Sequence, residues 1–336
     1  MSSADRLDRR RFLGNSLAAV GATGATLGAG AAKTSPAAEA EAGGAKKPPE
    51  PDAAGMPYGM IGNVKISRIL LGGNLISGYV HARDLKYVGR LFRAYCTEEK
   101  ILQTLRVAEE NGINTVLESG AAFVERYNKE YGGHMQIIPS IHPEVGQPEG
   151  KLEDEVRKQV DAGVPALYVW GVAGDRLVQK GEIGLLAKAV ECVKAAGLPV
   201  GVGCHSLEVP MACEKHQVPC DFYVKTLHGD EYPSATAKEL RKEYIWLDGG
   251  QGWYDNMWCI NPEETIEFMR AVAKPWLAFK VLAAGGIQPR QGFAHAFQNG
   301  ADFIAVGMFD FQVEENCELV RRLVERERDR ARPWRA

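Results

Sequence analysis

The sequence lacks long apolar runs, dense basic runs and paired cysteines. No apolar stretch in its 336 residues has the length of a membrane-spanning helix. No basic run reaches the charge density that favours a phosphate backbone, so we expect no nucleic-acid partner. The seven cysteines are scattered and show no C-x-x-C spacing, which argues against a disulfide framework or a structural zinc site. What is present, 45% apolar and 25% charged residues with a net charge of -3, is typical of a globular protein with a large core.

The N-terminal segment predicts export. Asp8-Arg9-Arg10-Arg11-Phe12-Leu13 resembles the twin-arginine export motif, and a weakly apolar stretch from Leu17 to Ala32 follows it. We interpret residues 1–32 as a signal peptide for the twin-arginine translocation machinery and residues 33–55 as a disordered linker. The mature protein would then be periplasmic or otherwise exported. A basic N-terminal tail is the alternative.

Residues 56–330 alternate between short apolar runs and longer amphipathic ones. The short runs predict eight buried strands, at 65–71, 114–118, 136–142, 166–170, 199–204, 221–226, 276–282 and 302–306. Eight strands alternating with eight helices predict a single (β/α)8 TIM barrel with long βα loops after the first and sixth strands. An open doubly wound sheet is the alternative, but no G-x-G-x-x-G turn follows the first strand.

Two lysines stand near the carboxyl ends of predicted strands, where TIM barrels carry their chemistry. An ammonium group is costly to bury in a strand that is covered on both faces. We therefore predict that Lys225 is an amine nucleophile or electrostatic catalyst and that Lys280 is its partner. The alternative for Lys225 is a structural ion pair with Glu118 or an aspartate. Candidate substrate-binding residues at the same end are Asn74, Trp170, His228, Asp255, Trp258, Gly285, Gly286 and Gly307.

Glu118, His142 and His205 end the second, third and fifth predicted strands. We predict that they act as acid/base groups, because imidazole titrates nearest to neutrality. In a second interpretation the same three residues are metal ligands that hold Mn²⁺, Zn²⁺ or Fe²⁺ with positions open for a substrate. The remaining histidines lie on loops or helices and are predicted to have no catalytic role; they are His81, His134, His216 and His295.

The two long loops, 75–96 and 228–260, are rich in aromatic residues. Long loops in a compact domain often form lids or binding surfaces. Trp258 near Asp255 suits a polyhydroxylated ligand, whose C–H faces stack on the ring while its hydroxyls bond to the acid. Packing of these tryptophans into a satellite core, or a homo-oligomer contact, are the alternatives. The charged stretch 321–335 predicts a solvent-exposed helix face.

The last third of the chain resembles class I aldolases of the deoxyribose-phosphate aldolase kind. The sixth predicted strand, Asp221-Phe222-Tyr223-Val224-Lys225-Thr226, is similar to the family strand whose lysine forms a Schiff base, with one extra residue before the lysine. Lys280 precedes Gly285-Gly286-Ile287 as a second family lysine does, but lies two residues further upstream. The glycines here and at Gly307 look like the phosphate-binding region that many barrels carry after their last two strands.

The beginning of the predicted barrel resembles aldo/keto reductases. Val64 to Asn74 is similar to the first strand of that family. Ala108 to Thr115 is similar to a later segment of the same family. Glu118-Ser119-Gly120 occupies the region of the family's catalytic aspartate, and no tyrosine motif follows it. The resemblance implies a related barrel, whereas the residues do not reproduce the reductase site.

Together these observations predict an exported TIM-barrel enzyme that acts on a small hydroxycarbonyl or sugar-derived substrate, with aldolase or lyase chemistry at Lys225. The alternatives are a metal-dependent sugar isomerase or lyase that uses Glu118, His142 and His205, an oxidoreductase similar to aldo/keto reductases, and a non-catalytic saccharide-binding barrel.

Overall fold

Eight parallel strands close into a barrel in the computed structural model, which describes residues 54–82, 85–241 and 257–336. The barrel strands are β3 (Ile69–Gly72), β4 (Thr115–Glu118), β5 (Gln136–Ile141), β6 (Leu167–Val169), β7 (Val200–Cys204), β8 (Phe222–Thr226), β9 (Trp276–Phe279) and β10 (Phe303–Val306). They follow one another around the barrel in chain order, and β10 pairs with β3 to close it. This ring confirms the predicted single (β/α)8 TIM barrel.

Helices connect the strands and surround the barrel. They are α1 (Gly73–Ile76), α2 (Lys86–Tyr95), α3 (Glu98–Glu110), α4 (Ala121–Tyr131), α5 (Lys151–Asp161), α6 (Gly171–Gln179), α7 (Ile183–Ala195), α8 (Glu208–Lys215), α9 (Pro262–Ala271), α10 (Pro289–Gln298) and α11 (Asp310–Arg326). Local sequence fixes several starts: the Thr97 hydroxyl accepts a hydrogen bond from Lys100 N at 3.3 Å, and proline opens α9 and α10. Within the described ranges, no helix is both long and apolar enough to cross a bilayer.

The first predicted strand, 65–71, is wrong as a single element. A hairpin of β1 (Tyr58–Ile61) and β2 (Val64–Ser67) precedes β3, and only β3 joins the barrel. The chain turns at Arg68, whose backbone N–H donates to the carbonyl of Pro57, just before the hairpin, while its own carbonyl accepts from Ile304 N–H in β10. The hairpin packs its apolar side chains against the amino end of the barrel interior, so the opposite, carboxyl end is left for a site.

Two apolar layers form the core, one inside the barrel and one between the strands and helices. Alternate residues of each strand enter different layers, as strand geometry requires. In β8, Phe222 and Val224 belong to the inner layer, whereas Tyr223 belongs to the outer layer. Fully burying a side chain of this size contributes roughly 1.5–3 kcal/mol, so the two layers provide most of the favourable free energy of folding.

The predicted solvent-exposed face over 321–335 is wrong at its end, because α11 stops at Arg326 and the chain folds back under the barrel. There Arg330 and Arg332 place their guanidinium groups 2.8 and 2.7 Å from the carboxylate of Asp302, which is fully buried. Asp302 also accepts a hydrogen bond from Trp276 N at 2.9 Å. These contacts tie the C-terminal segment to two barrel strands.

The described residues all belong to one structural unit of the chain. The predicted signal peptide, nearly all of the predicted linker, and Asp255 lie outside the described residues. The export and linker assignments therefore stay predictions.

Candidate active site

A cavity of about 740 Å³ opens at the carboxyl ends of the barrel strands. Its floor consists of inner-layer side chains, including Leu117, Val224 and Ala305. Three of the predicted catalytic residues lie on its wall, namely Glu118, His205 and Lys280. This size is typical of small-molecule sites, so the barrel mouth is the candidate active site.

His205 forms a buried pair with Asp175 on the cavity wall. The ring Nδ1 lies 2.7 Å from Asp175 Oδ2, and both residues are buried. The same carboxylate accepts hydrogen bonds from the backbone N–H groups of His205 and Ser206, at 3.0 and 2.9 Å to Oδ1. Asp175 therefore fixes both the backbone after β7 and the orientation of the imidazole.

Close packing of α6 against β7 brings Asp175 to this position. A Cβ atom at Gly174 would lie 2.3 Å from the carbonyl oxygen of Gly203, so only glycine allows α6 to approach the strand this closely. The next residue of the helix is Asp175, which consequently sits directly beside the end of β7. The geometry of the histidine thus depends on small residues that themselves perform no chemistry.

The environment of His205 keeps its imidazole neutral at neutral pH. Burial lowers its pKa below the ordinary value, Asp175 opposes that shift, and the cations of Lys280 and Lys225 add to it. Because a carboxylate can only accept, Nδ1 carries the proton and Nε2 is the basic nitrogen. A neutral imidazole with a fixed tautomer is suited to accept a proton from a substrate.

Lys280 directly follows β9 and lines the cavity there. In the barrel, β9 is separated from β7 by the single strand β8. Its backbone φ is +61°, a left-handed conformation that is uncommon for a lysine. Its Nζ is hydrogen-bonded to His81 Nε2 and lies 4.4 Å from the ring centroid of Trp258. The ammonium group is therefore held between residues of both long loops, at the wall of the cavity.

Glu118 ends β4 with a φ of +81°, so a second cavity residue has left-handed backbone. Its Oε1 accepts a hydrogen bond from Trp170 Nε1 at 2.9 Å. Burial and the charge of Glu118 raise the pKa of Tyr168, which lines the cavity floor, well above its ordinary value. Unfavourable backbone of this kind concentrates at functional sites, which supports a role for Glu118 and Lys280.

Lys225 lies apart from the cavity wall, fully buried in β8. Lys225 comes two residues after Tyr223 in β8, so the two side chains share a face of the sheet. The Lys225 side chain therefore points towards the outer layer, away from the inner face that Val224 occupies. The Nζ atom donates to the carbonyl and the hydroxyl of Thr226, at 3.0 and 2.9 Å. Its predicted alternative, a structural ion pair, is likewise absent among the described residues. This placement does not favour an imine at Lys225.

His142 is also separate from the cavity wall. It is about half exposed, and its Nδ1 lies 2.7 Å from Glu155 Oε1. Its ring contacts the ring of Trp170, with 5.3 Å between the centroids. His142 thus packs on the tryptophan that donates a hydrogen bond to Glu118. Over the described ranges, no three His, Cys, Asp or Glu side chains are arranged to hold a metal ion, so Glu118, His142 and His205 do not form a ligand set.

The predicted substrate-binding residues divide into two groups. Asn74, Trp170, Gly285 and Gly307 line the cavity, whereas His228, Trp258 and Gly286 do not. Both ring nitrogens of His228 are bonded to backbone, Nδ1 to Gly229 O at 2.8 Å and Nε2 to the N–H groups of Trp258 and Cys259 at 3.0 Å. His228 is thus a structural residue that fixes the loop carrying Trp258.

Sequence reasoning missed three residues of this site. Asp175 lies on α6, a short helix with two glycines that was not predicted from the sequence. His81 was predicted to have no catalytic role, yet it lines the cavity and contacts Lys280. Asn316 lies on the buried face of α11 and also lines the cavity. The one available signal was the position of His81 in a long βα loop.

Comparison with known proteins supports the fold alone. No protein-family model and no curated protein matches the sequence. Two solved structures from Pseudomonas aeruginosa, each described as a "putative aldo-keto reductase", share the architecture. The first has a TM-score of 0.53 and 16% sequence identity, and its alignment covers 80% of this chain and 94% of the other chain. The second has a TM-score of 0.50 at 15% identity and covers 80% and 95%. They agree with the barrel that the N-terminal resemblance implied.

Proposed function

We propose that this protein is an exported enzyme that transfers protons on a small hydroxycarbonyl compound, as isomerases and lyases do. The observation that carries the proposal is the buried Asp175–His205 pair on the wall of the same cavity as Lys280. A base with a fixed tautomer and a cation are the two groups that enolisation requires.

The chemistry follows from the positions of these groups. His205 Nε2 accepts the proton from the carbon next to the substrate carbonyl, the C–H electron pair forms a carbon–carbon double bond, and the π pair of the carbonyl moves to its oxygen. The Lys280 ammonium stabilises the resulting enolate, whose charge develops on that oxygen. Return of the proton to the neighbouring carbon completes an isomerisation, with Glu118 moving the proton between the two oxygens. In a lyase the base instead takes the proton of the β-hydroxyl group, whose oxygen becomes the carbonyl of the released aldehyde, and the electron pair of the breaking carbon–carbon bond forms the enolate.

An aldolase-type imine is the second candidate, and the cavity favours Lys280 over Lys225 as its amine because only Lys280 lines the wall. Borohydride reduction in the presence of a carbonyl compound, followed by peptide mapping, distinguishes the two lysines. Label on Lys280 supports an imine mechanism there, and label on Lys225 would restore the mechanism predicted from the aldolase resemblance.

Solvent exchange tests the main proposal. The chain without residues 1–55 is incubated in D₂O with hydroxyacetone, dihydroxyacetone and glyceraldehyde, and the loss of each α-proton signal is followed by NMR. We expect catalysed exchange with at least one compound and a loss of about 100-fold or more in His205→Asn. The control is His134→Asn, an exposed histidine outside the cavity. Equal exchange by wild type and His205→Asn would remove His205 as the base.

Two further measurements bear on this proposal, one on its export and one on the alternative of a metal-dependent enzyme. Export through the twin-arginine route predicts that Arg9→Lys with Arg10→Lys retains the protein in the cytoplasm, as fractionation would show. The metal-dependent alternative predicts stoichiometric Mn, Zn or Fe in protein purified without chelator, which elemental analysis measures.

A further inference from the structure

One polar side chain on the cavity wall is mostly buried, and its amide faces the cavity without a hydrogen bond to any described residue. Asn316 is 4% exposed, and its amide makes no hydrogen bond to any residue in the described ranges. Its helix neighbours Val313, Cys317 and Val320 are apolar and buried against the barrel. Because no described protein group binds this amide, a ligand group that enters the cavity can donate a hydrogen bond to it or accept one from it.

Asn316 lies across the barrel mouth from His205, the proposed base, whereas Lys280 and Glu118 follow strands β9 and β4 that flank β10 and β3. His205 follows β7, whereas the wall near Asn316 is built by the ends of β3 and β10 and by the start of α11, including Leu75, Gly307 and Phe309. In the ring of eight strands β3 stands opposite β7, and β10 stands opposite β6. The cavity therefore spans the whole mouth, from the Asp175–His205 pair to the space beside α11.

The floor between these two ends is mostly apolar, with Tyr168 as its one residue that carries a hydroxyl group among those described. Leu117, Val224, Phe279 and Ala305 belong to the inner layer and also line the cavity. A polyhydroxylated chain crossing this floor would leave hydroxyl groups without partners, at a cost in free energy for each. The floor instead matches methylene or ring carbon, because apolar area removed from water is favourable.

We infer that the substrate is an elongated hydroxycarbonyl compound with an apolar middle and a hydrogen-bonding group at its far end, and that Asn316 binds that group. This inference rests on the proposed function for its reacting end, and it narrows the substrate class from small sugars to amphipathic molecules. Asn316 is a specificity-determining residue in this account and takes no part in bond breaking.

Binding measurements test the inference separately from turnover. The probes are hydroxymethyl ketones with unbranched tails of three to nine carbons, each prepared with a terminal methyl or a terminal hydroxyl group. Dissociation constants are measured by calorimetry for wild type, for Asn316→Leu, and for Glu315→Leu as a control on the exposed side of the same helix. Hydroxyacetone serves as the probe without a tail.

At one tail length, we expect the hydroxyl-ended ketone to bind wild type about 3- to 10-fold more tightly than its methyl-ended counterpart, as one net hydrogen bond provides. Asn316→Leu should abolish this difference in affinity and leave the dissociation constant of hydroxyacetone unchanged. Glu315→Leu should preserve the difference. No difference at any length, persistence of the difference in Asn316→Leu, or no binding of any tailed ketone would overturn the inference. Since leucine replaces an unpartnered amide in apolar surroundings, thermal unfolding should show no loss of stability.

The solvent-exchange assay keeps the two proposals distinguishable. If the tailed ketones bind with the expected dependence on Asn316 but exchange no proton, the substrate class stands and the proton-transfer chemistry does not. If hydroxyacetone exchanges its proton but tails bring no gain in affinity, the chemistry stands and the substrate class does not.

Discussion

His205 Nδ1 lies 2.7 Å from Asp175 Oδ2 where β7 meets α6, and His205 lines the wall of the barrel mouth. The carboxylate also holds the backbone N–H of His205 at 3.0 Å, so one side chain sets the tautomer and the position of the ring. Asp175 is therefore a positioning residue, and its effects should differ from those of a residue that stabilises the fold alone.

Asp175→Asn should lower the exchange rate and also displace its pH dependence. An amide at this position can donate to Nδ1, which places the proton on Nε2 and removes the base, so we expect a loss of about 100-fold or more. Because Asp175 raises the pKa of His205 against the effect of burial, its removal should move the acid limb of the rate profile to lower pH. The measurement is the exchange rate between pH 4 and 8.

Asp161→Asn, at an exposed carboxylate that ends α5, is the matched control and should change neither the rate nor the profile. A profile whose acid limb stays in place in Asp175→Asn would mean that the carboxylate does not act on His205 through its charge.

His228 should make the protein less stable as the pH falls from about 6.5 to 4. Burial lowers its pKa to about 4, and both ring nitrogens are bonded to backbone in the neutral form. A depressed pKa in the folded state gives stability that is complete above the unfolded value and is lost on acidification towards the folded value. A shift of this size corresponds to about 3 kcal/mol.

Urea unfolding at pH 7.5, 6, 5 and 4 measures this dependence. His228→Gln keeps an acceptor for the backbone N–H groups but does not titrate, so its free energy of unfolding should fall less steeply with pH than that of wild type. His134→Gln, at an exposed position, should behave as wild type. Parallel curves for wild type and His228→Gln would exclude His228 as the source.

Asp302→Asn should destabilise the fold without altering the cavity. Its carboxylate is buried between the guanidinium groups of Arg330 and Arg332, and removing one partner of a buried ion pair typically costs 3–5 kcal/mol. Urea unfolding should show a loss of about that size, whereas Asp329→Asn, at an exposed position, should lie within about 0.5 kcal/mol of wild type. Ligand affinity measured well below the transition should not change, since Asp302 lies under the amino end of the barrel.

The sequence alone was sufficient to predict the closed barrel of eight strands. Each apolar run is short and is followed by a helix, a pattern that few other folds produce. It was also sufficient for Glu118, His205 and Lys280, since strand ends in a barrel converge on one mouth. It was insufficient for Lys225. A strand buried on both faces shows no polar alternation, so the run from Phe222 to Thr226 does not reveal which side chains point inward.

The remaining residues depend on tertiary contacts that no local pattern encodes. Asp175 matters because Gly174 allows a helix to rest on Gly203, two segments that are distant in sequence. Arg330 and Arg332 have the composition of an exposed helix end, and only the position of Asp302 explains their burial.

The most direct test of the account compares the two lysines in one assay. Exchange of the α-proton in D₂O is measured for Lys280→Met and Lys225→Met beside wild type, with circular dichroism to show that each variant is folded. Because Lys280 lies on the cavity wall and Lys225 points to the outer layer, we predict a loss of about 100-fold or more for Lys280→Met and a change of less than about threefold for Lys225→Met. The opposite result, with exchange retained in Lys280→Met and lost in folded Lys225→Met, would contradict the assignment of the reacting centre to the Asp175–His205–Lys280 mouth.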